Sequence, residues 1–142
     1  MIKRQHPEWL RAMTLHFPWA YLICIGEKEE EFRSRTVSYR GFFLVHAGLS
    51  KESDYVIQEA GIPRDRIVRG AIIGAVELFN SFRDSEGAVH QLGVPFLFDE
   101  PIGPVSGQQA QLWGAKTPQA IDAFNKAWVK LEALLDAPDD DE

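Results

Sequence analysis

Eight residues in this 142-residue chain, Gly26-Glu27-Lys28-Glu29-Glu30-Glu31-Phe32-Arg33, put one lysine, four glutamates and an arginine between two apolar runs. Upstream lies Trp19 to Ile25 and downstream Phe42 to Ala47. Charges held that close to core-forming segments sit near apolar walls, where an ionised group is expensive unless paired and chemically useful when it is. Lys28, Glu31 and Arg33 are the strongest constellation of such charges in the chain. Arg40, His46 and Gln108 are their possible companions. A surface strand laced with salt bridges is the plainer reading of the same charges, and the core on both sides is what speaks against it.

Other chemistries find less footing. His6, His16, His46 and His90 are scattered and form no HxxxH or HExxH pattern, so no metal site is expected. No GxSxG motif is present, so a Ser-His-Asp triad is not expected, and with no Gly-rich phosphate loop opening a helix no cofactor is expected either. His46 on an apolar strand reads as a hydrogen-bonded core histidine before a catalytic base. Arg64, Arg66 and Arg69 read as solubilising charge before a phosphate patch. The single cysteine, Cys24, lies in an apolar run, which leaves no disulfide framework and suits a reducing cytoplasm. No apolar stretch approaches the roughly 18 residues of a membrane span.

The net charge of -6 looks unfavourable to an anionic ligand until it is divided. Residues 1–83 carry 12 Lys+Arg against 10 Asp+Glu, whereas residues 84–142 carry 3 against 11, five of those acids falling in the last seven residues. The expected organisation is an N-terminal arm over 1–12, a single domain over 13–135 and an acidic, disordered tail over 136–142.

The elements that must position the charges follow from periodicity. Ala12 to His16 alternates as a short strand, with Met13 and Leu15 on one face and Thr14 and His16 on the other. Pro18 and Gly26 bracket a short apolar helix. Lys28 to Arg33 reads as a strand that puts Glu31 and Arg33 on one face, and Tyr39-Arg40-Gly41 turns into a central strand, Phe42 to Ala47. A helix over Lys51 to Ala60 capped by Ser50, a strand over Gly70 to Phe79, a polar connection over Asn80 to Leu92 and an edge strand over Gly93 to Phe98 are expected next. Thr117-Pro118 opens a last helix with Ile121, Phe124, Trp128, Leu131 and Leu135 at spacings of three and four. Short strands with interspersed helices and no βαβ rhythm give an α+β fold, a small β-barrel with helices packed on it.

The motifs run in a recognisable order. Phe17-Pro18-Trp19-Ala20, Gly26-x-Lys28-x-x-Glu31-x-Arg33-Ser34, Tyr39-Arg40-Gly41, Val45-His46-Ala47, Gly70-Ala71-Ile72-Ile73-Gly74 and Gly103-Pro104-Val105-Ser106-Gly107-Gln108-Gln109 with Leu112-Trp113 resemble the ASCH (activating signal cointegrator homology) family of the PUA-like superfamily. The resemblance implies a PUA-like barrel that binds nucleic acid, RNA above all, or a modified nucleoside, in a cleft lined by Lys28, Glu31, Arg33, Arg40 and Gln108, with Trp19 or Tyr39 stacking a base. Some relatives in that family hydrolyse N4-acetylated cytidine and others cleave RNA. In the amidohydrolases a threonine nucleophile stands where this chain has Glu31. The catalytic alternative here is therefore Glu31 as general base with Lys28 steadying the developing charge, and the substitution shifts the expectation from catalysis towards recognition.

Overall fold

The structure, a computed structural model, describes residues 2–138. Its elements are β1 (Ala12–Leu15), α1 (Phe17–Cys24), β2 (Glu30–Arg33), β3 (Gly41–Ala47), α2 (Tyr55–Glu59), β4 (Ala71–Arg83), β5 (Ala88–Ile102) and α3 (Pro118–Asp136). The five strands form one sheet in the order β1-β3-β4-β5-β2. β1 runs parallel to β3 and every other pairing is antiparallel. β3 is buried on both faces, as its unbroken apolar run requires.

The sheet curls until its two terminal strands come together. Arg33 on β2 donates from Nη2 to the carbonyl of Thr14 on β1 (3.1 Å). The segment that follows β5 plugs the rest of the gap: Trp113 pairs with Ala12 through both backbone bonds, and Gln111 donates to the carbonyl of Arg35 (2.7 Å). This seam between β1 and β2 closes a small barrel. α1 packs in the larger apolar cluster with Phe17, Ala20, Leu22 and Ile23, while α3 covers the other with Ala120, Ala123, Phe124, Ala127 and Leu131.

Several expected elements differ in detail. The polar connection over Asn80 to Leu92 is the tip of a long β4–β5 hairpin, closed by the Asp84 N–H on the Gly87 carbonyl and by Asp84 Oδ1, which accepts from the amides of Glu86 and Gly87. Its polar residues pair across strands, so alternation of apolar and polar residues did not mark it. The strand over Gly93 to Phe98 is the middle of the longer β5, where it pairs with β4 alone and so is an edge locally. Pro95 is accommodated because the ladder to β4 is already irregular between Val76 and Leu78, and because β2 pairs only with Ala88 to Gln91. The helix over Lys51 to Ala60 shrinks to α2, since the Ser50 hydroxyl accepts from the Glu52 amide in a tight turn instead of capping a helix. In α3 the buried stripe is centred on alanines that allow close approach, and Leu135 is exposed. Asp136 ends α3, and residues 139–142 of the expected tail lie outside the described residues.

Candidate functional site: the barrel seam

The charged motif is placed by the end of α1. Helix geometry stops at Ile25, Gly26 takes φ +82°, and the amides of Glu27 and Lys28 both donate to the Leu22 carbonyl. A glycine in the left-handed region ends a helix without the Cβ penalty. The Leu92 amide then donates to the Glu29 carbonyl and zips β2 onto β5.

On β2 the side chains of Glu31 and Arg33 share a face, as expected. Arg33 Nε donates to Glu31 Oε2 at 2.8 Å, and Lys28 Nζ lies 3.6 Å from Glu31 Oε1. The three side chains are 17%, 11% and 23% exposed for Lys28, Glu31 and Arg33, so the carboxylate is enclosed and its two cations reach the surface. Two cations against one carboxylate leave a net positive charge at the seam. Lys28 also donates to the Glu30 carbonyl and rests 5.5 Å from the Trp19 ring centroid and 5.0 Å from that of Phe32. Such cation–π contacts add ~0.5–1 kcal/mol each at exposed sites.

Further groups complete the seam. The indole N–H of Trp113 donates to Thr14 Oγ1 (3.0 Å), which is 3.1 Å from His46 Nδ1, while His46 Nε2 is 2.7 Å from the Val105 carbonyl. A carbonyl only accepts, so His46 carries its proton on Nε2 and its Nδ1 accepts a hydrogen bond from the Thr14 hydroxyl. Burial pushes the His46 pKa down, with the Val105 bond opposing. His90, directly across from Glu31 in the β2–β5 register, lies 3.0 Å from Ser81 Oγ and 2.8 Å from Gln111 Oε1. At the start of α1, Trp19 Nε1 donates to Ser53 Oγ (3.1 Å), which lies 2.7 Å from His16 Nδ1.

A hollow of about 400 Å³ opens where Thr14 and His46 face the loop Pro104 to Gln109. Gly107 sits so close that a Cβ there would lie 2.6 Å from Thr14 Oγ1 and 2.7 Å from the His46 ring. The loop therefore needs a glycine to lie flat on the seam, and it leaves Gln108 and Gln109 exposed at the rim. A second hollow, also about 400 Å³, abuts Lys28 from the outer face and is bounded by Glu27, Glu29 and Glu30. Those three acids repel a phosphate. Among the described residues no three of His, Cys, Asp and Glu gather as a metal-holding group, and no helix is long and apolar enough to cross a membrane.

No family model matches the sequence, and no curated protein matches it. Among solved structures, that of a serine-to-alanine mutant of ZmASCH from Zymomonas mobilis aligns with a TM-score of 0.52 at 13% identity, covering 79% of this chain and 92% of that one. The chain has the ASCH fold. Its small barrel and packed helices are the α+β architecture expected from the sequence.

Within the ASCH fold the expected site residues divide. Lys28, Glu31, Arg33 and Trp19 come together in one contact network. Gln108 lies across the loop hollow, linked to them by Thr14, whose carbonyl holds Arg33 and whose side chain lines the hollow. Arg40 folds back on its own turn, donating to the carbonyls of Val37 and Tyr39 at 2.8 Å. The Tyr39 hydroxyl donates to the Phe42 carbonyl and its ring packs on the core; burial raises its pKa to about 12. Trp19 is half-buried, with its N–H committed to Ser53. Of the arginines set aside as solubilising charge, Arg69 instead pins α2 by donating to Asp54 (2.7 Å) and to the Ser50 carbonyl. Sequence reasoning missed Thr14, His16, Ser53, His90 and Gln111 as seam residues. The alternation in β1 had already put Thr14 and His16 on its polar face, and that was the available signal.

Proposed function

We propose that this ASCH-fold chain binds RNA or a modified nucleoside at the barrel seam, with the base in the hollow beside Thr14 and the Gln108–Gln109 loop and the charged motif at its edge. The observation that carries the reading is the enclosed Glu31 between Lys28 and Arg33, with Arg33 held on the carbonyl of Thr14, a residue that lines the hollow rimmed by Gln108 and Gln109. Side-chain amides offer a donor and an acceptor to a base edge, and a pocket of this size falls in the usual range for a small ligand. Thr14 joins the two parts, since its carbonyl accepts from Arg33 and the residue also lines the amide-rimmed hollow, whereas the hollow that Lys28 lines is acidic.

Binding is favoured over hydrolysis by the state of Glu31. A general base must reach the attacking water, and here the Glu31 carboxylate is enclosed between Arg33 and Lys28 and lines neither the loop hollow nor the acidic one. We place this activity in the cytoplasm, which the lone buried thiol of Cys24 suits; burial raises that thiol's pKa and keeps it unreactive.

Titration calorimetry with a panel of nucleosides, N-acylated cytidine included, and anisotropy with short RNAs test the reading. Lys28→Ala and Gln108→Ala should each weaken binding by about tenfold, the scale of a lost charge-assisted or base-edge hydrogen bond. Wild-type affinity in both variants would sink it. Turnover that disappears in Glu31→Gln while binding survives would establish the hydrolase instead.

A further inference from the structure

Outside the motif, three cations gather round a third hollow, of about 430 Å³, on the other side of Gln108. Arg4, Arg11 and Lys116 line it together with His6, and Glu8 is its one acid. Gln108 lines both this hollow and the one beside Thr14, so the two adjoin. We propose that this hollow is a phosphate site for a single-stranded RNA, holding the backbone next to the nucleotide whose base enters the Thr14 hollow.

The site is built rather than incidental. Asn125 on α3 clasps the N-terminal arm: its Oδ1 accepts from the amides of Gln5 (2.8 Å) and His6 (3.1 Å), and its Nδ2 donates to the Lys3 carbonyl (2.9 Å). Leu10 is buried in the core, and Trp9 meets Trp128 edge-on at 5.7 Å. These contacts fix the arm on both sides of Arg4. Arg11 is aimed by its own bonds to the carbonyls of Glu8 (2.7 Å) and Leu10 (3.0 Å), and its guanidinium lies over Gly114, where a Cβ would come within 3.3 Å of Nη1. Arg4 is held to Glu8 at 3.2 Å, an exposed pair that an incoming phosphate can replace at little cost. A positive field at the spot also shows in His6, whose pKa is lowered first by burial and further by Arg4 and Arg11, against the raising effect of Asn125.

A strand of nucleic acid suits the pair of hollows better than a free anion does. Lone phosphate uses only the cations, whereas a strand engages both the cations and the amide-rimmed hollow that shares Gln108. Backbone contacts position and base contacts specify, and the two hollows divide those roles. The arm thereby acquires a function, as the carrier of two of the three cations.

This inference rests on the seam binding a base, and the test separates the two. A labelled RNA hexamer and the best-bound nucleoside are titrated against wild type, Arg4→Gln, Lys116→Gln, the double variant and Glu8→Gln over a range of salt. Arg11 is left intact because its carbonyl bonds hold the arm. The double variant should lose roughly tenfold or more in hexamer affinity at low salt and flatten the slope of log K against log salt by about 0.7 per cation removed. Nucleoside affinity should not change, and Glu8→Gln should tighten hexamer binding about twofold to threefold. If wild type binds the hexamer and the double variant binds it equally well with the same salt slope, the phosphate site is overturned while the seam reading stands. If wild type binds neither hexamer nor nucleoside, both fall. Inorganic phosphate that displaces the hexamer at concentrations matching the hexamer's own affinity would make this a small-anion site and overturn the strand.

Discussion

The α3 interface and the barrel seam are both interior surfaces, and they are built by opposite means. Under α3 the contacts are apolar, with Phe124 fully buried between Trp113 and His6 and Leu131 fully buried beside alanines. At the seam, the enclosed groups are Glu31, Arg33, Thr14, His46, His90 and Gln111, each satisfied by a named partner. Apolar burial is non-directional and contributes by area, whereas a polar seam works only when every donor finds its acceptor. One surface therefore carries stability, and the other carries geometry that a ligand can exploit.

Three tests bear on that contrast, in falling order of effect. Phe124→Ala empties a fully buried site and should cost about 3–5 kcal/mol, read as a fall in the urea midpoint, with nucleoside binding intact in whatever fraction remains folded. Loss of affinity in that fraction would show that the α3 interface and the seam are coupled.

Glu31→Leu strands Arg33 and Lys28 against an apolar side chain. Truncating one member of a buried pair costs about 3–5 kcal/mol, and because these cations still reach solvent the expected loss is smaller, about 1–3 kcal/mol. Glu31→Gln, which keeps an acceptor, should recover much of it in the same urea titration. Equal losses in both variants would make Glu31 a packing residue and blur the distinction between the two surfaces.

The smallest effect is pH dependence at the seam. Burial lowers the pKa of His46 in the folded state, so unfolded chains take up its proton first as pH falls. The stability linked to this group is fully present above the unfolded value of about 6.5 and is lost as pH drops through that value towards the lowered folded one, at less than about 1.4 kcal/mol per pH unit. His6 is shifted in the same direction and adds to the trend. Urea midpoints at about pH 7.5 and 5.5 should therefore fall in wild type, and His46→Gln should flatten the difference. A wild-type midpoint that rose on acidification would contradict the neutral, doubly bonded His46.

The elements that use apolar burial were the readable ones. Thr117 does cap α3, its hydroxyl accepting from the Ala120 amide at 3.1 Å, and α1 ends where Gly26 was expected to end it. The hairpin tip at Asn80 to Leu92 was not readable, because Glu31, His90 and Ser81 form a polar row across β2, β5 and β4 on what is an interior face. A rule that puts apolar residues inside and polar residues outside fails wherever a polar row is satisfied across strands.

For the site the division is similar. The spacing in Gly26-x-Lys28-x-x-Glu31-x-Arg33 put Glu31 and Arg33 on one face of a short strand after a capped helix, and that holds, but β2 begins only at Glu30, so Lys28 lies before the strand and reaches Glu31 from there. The same residue types do not say that Arg40 and Tyr39 spend their polar groups on their own turn, since that depends on carbonyls left free by the path into β3. The cationic hollow joins residues from both ends of the chain, Arg4 with Lys116, and no spacing rule links them.

Sequence alone therefore determined what is local: the apolar and capped elements such as α1 and α3, the ASCH-like order of motifs, and the shared face of Glu31 and Arg33, all governed by periodicity, capping and short-range reach. Tertiary structure decided what the curled sheet brings together. Closure of the barrel sets Arg33 on Thr14 and lays the Gly107 loop on His46, because only the full curvature of five strands fixes the distance between the first and the last.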